Sequence, residues 1–117
     1  MSKHGILISV LNQAIQDQAS QLTIDRTREK NRIYLTKKTI DSPLLPMSEY
    51  HEDRLIDSIK ECIEYNDKNR VGAFSINNKS SYYRANVEIG GERGKEYISV
   101  CLLEDKKRDL QSKILNV

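Results

Sequence analysis

The chain has 117 residues, 38% of them hydrophobic and 31% charged, with a formal net charge of +2. That length suits one domain with a core of its own. Acidic and basic residues alternate along the chain instead of forming a stripe, so they read as a solvated exterior and argue against a nucleic-acid partner.

With no tryptophan and one phenylalanine, the expected core is aliphatic, filled out by some of the six tyrosines. No apolar run approaches the length of a membrane span, so no direct membrane insertion is expected. The stretch Ile6-Leu7-Ile8-Ser9-Val10-Leu11 passes into Asn12 and Gln13 without a small-residue cleavage site, so a signal peptide is not expected either. The expected compartment is the cytoplasm. Cys62 and Cys101 each fall at an expected core position and read as reduced structural thiols rather than a disulfide.

Residues 6–21 show helical period: Ile6, Leu7, Val10, Leu11, Ala14 and Ile15 form one stripe, opposite Asn12, Gln13, Gln16 and Asp17. Residues 22–25 switch to a strand signature. A polar turn at 27–31 leads to a second strand at 32–36, with Ile33 and Leu35 on one face and Tyr34 on the other. The two strands suit a hairpin.

Residues 37–47 read as a connector, because Pro43 and Pro46 disfavour both helix and central strand. Ser48 is an expected helix cap, with Glu49 and Glu52 in the first turn. The second helix runs to about Tyr65, with Leu55, Ile56, Ile59, Cys62 and Ile63 as its stripe. Three strands follow at 71–76, 81–89 and 95–103. In the middle one Tyr83, Ala85, Val87 and Ile89 face one way, and Tyr82, Arg84, Asn86 and Glu88 the other. Residues 105–117 read as a charged tail or short helix anchored by Leu110, Ile114 and Leu115.

The order α-β-β-α-β-β-β gives an α+β domain over residues 1–104, with two helices packed on an antiparallel sheet of about five strands.

The catalytic inventory is thin. His4 and His51 are far apart, neither is spaced with another metal ligand, and no Gly-x-Ser-x-Gly elbow is present. No metal and no cofactor are expected. Gly91-Glu92-Arg93-Gly94-Lys95-Glu96 looks like a fragment of a phosphate-binding loop. Ile89 stands where the first glycine is needed, Glu96 where a magnesium-binding hydroxyl is needed, and a strand follows instead of a helix. The segment reads as a hairpin turn, and the chain is not expected to be an enzyme.

Two motifs remain. One is Ala14-Ile15-Gln16-Asp17-Gln18-Ala19-Ser20-Gln21-Leu22-Thr23-Ile24-Asp25, a helix running straight into a strand. The other is Tyr83-Arg84-Ala85-Asn86-Val87-Glu88, followed by Gly94-Lys95-Glu96-Tyr97-Ile98-Ser99-Val100-Cys101-Leu102-Leu103. Together they resemble the N-terminal domain that precedes the motor in ATPases of type II secretion and type IV pilus assembly. There the first motif reads roughly Ala-Ser-Asp-x-His-x-Glu-Pro. The second reads roughly Val-x-Arg-Val-Ser, then Gly-Glu-x-x-Val-x-Arg-Leu-Leu.

The resemblance implies a PAS-like fold that packs against the motor domain of a neighbouring subunit in a ring, with strand arginines reaching the motor's nucleotide. Arg84 matches one such arginine, and Glu96 matches the acidic residue that opens the last strand. Other positions depart from the family: Gln21 stands for aspartate, Thr23 for histidine, Asp25-Arg26 for Glu-Pro and Cys101 for arginine. Tyr34-Leu35-Thr36-Lys37-Lys38 replaces an Arg-x-Arg-x-Asp-Gly run, and Ala73 sits where Gly-Arg-Phe is expected.

The expectation is a non-catalytic docking module for a secretion or pilus motor or machine component. Tyr82, Arg84, Asn86 and Glu96 are its interaction candidates, with the exposed side of the first helix as a second surface. Homo-oligomerisation stays open. Two rival readings stay open as well. One is a small dimeric secretion chaperone that binds an effector segment. The other is a PAS-type ligand sensor with a cavity lined by Tyr34, Tyr83 and Ile98.

Overall fold

Each apolar stripe folds as a helix, and each helix ends by the same device. In a computed structural model that describes residues 4–44, 46–79, 81–105 and 113–117, α1 spans Gly5–Gln16 and α2 spans Glu49–Cys62. The α1 helix stops short of residue 21 because Gln18 takes a left-handed conformation, with φ of 58°. The Gln18 and Ala19 amides then donate back to the Ile15 and Ala14 carbonyls, which satisfies the last turn. At α2 Glu64 takes the left-handed role, with φ of 53°, and the Tyr65 amide donates to the Lys60 carbonyl. The α2 start is the one expected: Ser48 Oγ accepts from the His51 amide, with Glu49 and Glu52 in the first turn.

The strands are β1 (Gln21–Asp25), β2 (Arg32–Lys37), β3 (Ile40–Pro43), β4 (Val71–Asn78), β5 (Ser81–Glu92), β6 (Lys95–Asp105) and β7 (Ile114–Asn116). They form one sheet in the order β3-β2-β1-β6-β5-β4-β7. Every pairing is antiparallel except β4 with β7, which is parallel. The α+β class stands, and the five expected strands are present.

The sheet has seven strands, not five, and both additions lie at its edges. The β3 strand occupies part of the stretch read as a connector. It pairs with β2 after a turn at Lys38, whose φ is 58°. Pro43 is tolerated there because an edge strand needs no donor on its outer side. The β7 strand replaces the short helix expected around Ile114 and Leu115; Leu110 lies outside the described residues. Strand pairing wins because it buries Leu115 beside Ile76 and satisfies the β4 edge. The stretch 113–117 therefore belongs to the domain rather than to a tail beyond residue 104.

Register aligns the apolar residues in rungs on one face. One rung runs Leu35, Leu22, Val100, Val87 and Gly72; the next runs Ile33, Ile24, Ile98 and Ile89. These side chains form a single core with Leu7, Leu11 and Ala14 of α1 and Leu55, Ile59 and Cys62 of α2. Both helices thus cover the same face of the sheet, and what they leave uncovered positions the site.

Candidate functional site

Two motifs about sixty residues apart meet because β1 pairs with β6 and β6 pairs with β5. Gln21 lies opposite Cys101, which lies opposite Asn86. Thr23 lies opposite Ser99, which lies opposite Glu88. Arg84 sits between Leu103 on β6 and Ser75 on β4. All of these residues have the parity opposite to the core rungs, so they share the face turned away from the helices.

Polar side chains knit this face together. Gln21 Nε2 donates to Ser99 Oγ at 2.9 Å and to Thr23 Oγ1 at 3.3 Å. Ser99 Oγ lies 3.8 Å from Cys101 Sγ. Arg84 Nε donates to Asn86 Oδ1 at 3.2 Å, which ties the arginine to a neighbour on its own strand. Beside them is a shallow groove of about 410 Å³, lined by Val71, Ala73, Arg84, Asn86, Glu88 and Ser99 among others. Val71 and Leu103 are each 57% exposed and add apolar area to the same face.

The four expected interaction residues do not stay together. Arg84 and Asn86 line the groove. Tyr82 shares their face but sits farther along β5, opposite Asp105 and Asn77. Glu96 lies on the other face, 5% exposed, where Lys60 Nζ reaches its Oε2 at 3.0 Å and the Gly94 amide donates to its Oε1 at 3.1 Å. It fixes the β5–β6 turn to α2 and is closed to a partner. Strand parity already separates an even position on β6 from the even positions on β5, because the two strands pair with odd-numbered register sums.

Cys101 is also displaced from expectation. It is exposed on the open face, whereas Cys62 is buried and burial pushes its thiol pKa up. The cavity imagined between Tyr34, Tyr83 and Ile98 does not form, because Tyr34 lies on the open face and Ile98 on the helix-covered face. A hydrogen bond with Tyr34 holds the Tyr97 phenol above its ordinary value at the edge of the open face. The glycine-rich segment is a hairpin turn: Glu92 pairs with Lys95, and Gly91 and Gly94 have φ of 84° and 88°.

One buried charge escaped the sequence reading. Arg26 is 7% exposed and reaches Glu52 at 3.2 Å and Asp53 at 2.8 Å, clamping the β1–β2 turn to the start of α2. Its carboxylates are more than twenty residues away, so no local spacing announces the pair. Among the described residues no group of three or more His, Cys, Asp or Glu is placed to hold a metal ion. No helix among them is long and apolar enough to cross a membrane.

A scan against protein-family models finds no match, and a search of curated proteins likewise finds none.

Proposed function

We propose that this protein is a non-catalytic docking module that binds a protein partner through the open face of its sheet. The observation that carries this reading is that residues of both sequence motifs, Gln21 and Thr23 with Asn86, Ser99 and Cys101, meet on that one face, with Arg84 and Asn86 beside the exposed Val71 and Leu103. The partner we infer is a motor domain or another component of a secretion or pilus machine. That inference rests on the resemblance of the two motifs to the N-terminal domain of secretion and pilus ATPases. The succession of helix, strands, helix, strands supports a PAS-like relative of that domain. In such a dock Arg84 supplies a guanidinium to an acidic or phosphate-bearing edge of the partner.

The test is a solution mass determination of the purified chain, alone and with a nucleotide-loaded secretion ATPase motor domain from the same genome. The expected result is a complex that depends on nucleotide. Replacing Arg84 by Ala should weaken it about tenfold while leaving the fold intact, the scale of a substantial single-residue contact. A free dimer that ignores the motor domain would overturn the reading and favour the secretion chaperone instead.

A further inference from the structure

A second surface, remote from the open sheet face, has the composition of a small-molecule site. Residues 5–13 of α1, residues 50–54 of α2 and the chain that leads into α2 line a cleft of about 680 Å³. That lies inside the range of roughly 300–1,000 Å³ usual for small-ligand sites. Ile6 and Val10 of α1 and Leu44 and Met47 of the chain entering α2 give it an aliphatic lining. The polar side chains are Ser9 and Gln13 on α1 and Tyr50, His51 and Arg54 on α2, all five exposed.

The charge of this lining is one-sided. Among the described residues no aspartate or glutamate lines this cleft, whereas Arg54 does. The neighbouring cleft across Leu44 and Met47 is lined by Glu29, Asp41 and Glu52 and lacks that bias. Arg54 is also pre-positioned: its Nη1 donates to the Tyr50 hydroxyl at 3.1 Å, and its guanidinium lies 5.7 Å from the centre of the Tyr50 ring. A guanidinium held on an aromatic ring keeps donors for a second acceptor and is permanently charged.

We propose that this cleft binds a small amphiphile with an aliphatic body and a single anionic head. The body lies on Ile6, Val10, Leu44 and Met47. The head meets Arg54, with His51 beside it. A neutral or cationic amphiphile of the same length gains the apolar contact and loses the head-group contact. The site is independent of the sheet-face dock, which lies on the far side of the core.

The test titrates the full chain with sodium decanoate below its micelle concentration, following backbone amide shifts by NMR, with decanol and decyltrimethylammonium as matched controls. Decanoate should move the amides of Gly5, Ser9, Gln13, Met47 and His51 and leave Arg84, Asn86 and Ser99 in place. Arg54→Gln should weaken decanoate about fivefold, the scale of one partly exposed ion pair, and bring it level with decanol. Ser9→Trp fills the cleft from an exposed position without touching the core, and should abolish binding by all three probes. Three outcomes would overturn the proposal: equal affinity for decanoate and decanol in the unaltered chain, shifts spread over the open sheet face, or no shifts at all.

Discussion

A methyl group placed on Gly72 would sit 2.7 Å from the Cβ of Ile63, closer than two carbons can approach without displacement. Ile63 is the buried cap residue of α2, and Gly72 ends the rung that begins at Leu35. The last turn of α2 can therefore lie directly on β4 only because that position has no side chain. Gly72→Ala should destabilise the fold by about 1–3 kcal/mol, as overpacking does, less a fraction recovered from the stiffer unfolded chain. Gly5→Ala is the control, since nothing lies within 4 Å of its added carbon. Urea midpoints decide the matter: a fall for Gly72→Ala with none for Gly5→Ala is expected, and equal midpoints would refute the close-approach argument.

Asp25 links stability to pH at the other end of the sheet. It is 7% exposed and accepts from both the hydroxyl and the amide of Thr27, which holds its carboxyl below the ordinary 3.8. Arg28 and Arg32 add smaller attractions in the same direction. A carboxyl depressed on folding stabilises the folded state in full above its unfolded value. That stabilisation is lost as pH falls through the lowered folded value. Asp25→Asn should therefore lower stability at neutral pH, and the gap from the unaltered chain should close as the pH is taken below 3.8. A carbon-detected NMR titration checks the premise. Thr27→Val should move the Asp25 carboxyl upward, and a carboxyl already titrating above 3.8 in the unaltered chain would sink the argument.

The parts of this fold that were legible in the sequence are those where periodicity and burial coincide. The stripes on α1 and α2 and the alternation along β5 each fix which side chains enter the core, and the structure buries Leu11, Ile59 and Val87 accordingly. The β3 strand could not be read that way, because all four of its residues are exposed and Pro43 argues against a strand. The β7 strand is too short to carry a period: a three-residue segment with one buried leucine looks the same as the end of a helix. Site residues divide along similar lines. Parity along β5 put Arg84 and Asn86 on one face, and alternation along β6 likewise puts Glu96 with the buried Ile98, Val100 and Leu102 and Cys101 on the opposite side. Which residues of β1, β5 and β6 become neighbours depended instead on register between strands, a long-range property. Arg26 was illegible because its partners come from a helix that packs across the β1–β2 turn.

The parallel pairing of β7 makes the last prediction. Leu115 is 5% exposed and contributes to the same core as Ile76, its register partner on β4. The backbone ties are the Ser75 amide to the Lys113 carbonyl and the Val117 amide to the Asn77 carbonyl, each 2.8 Å. Asn77 adds a side-chain bond to Asn116 at 3.2 Å. Such a short strand is held mainly by its one buried side chain, so Leu115→Ala should cost about 2 kcal/mol, the low end of the range for a buried leucine. The loss should be local. Hydrogen exchange at Ser75 and Val117 should quicken well before that at Ile89, whose amide donates to the Arg70 carbonyl on the opposite side of β4. Equal loss of protection at all three amides would mean that β7 is part of the cooperative core. Unchanged exchange at Ser75 would mean that Leu115 does not hold the strand in place.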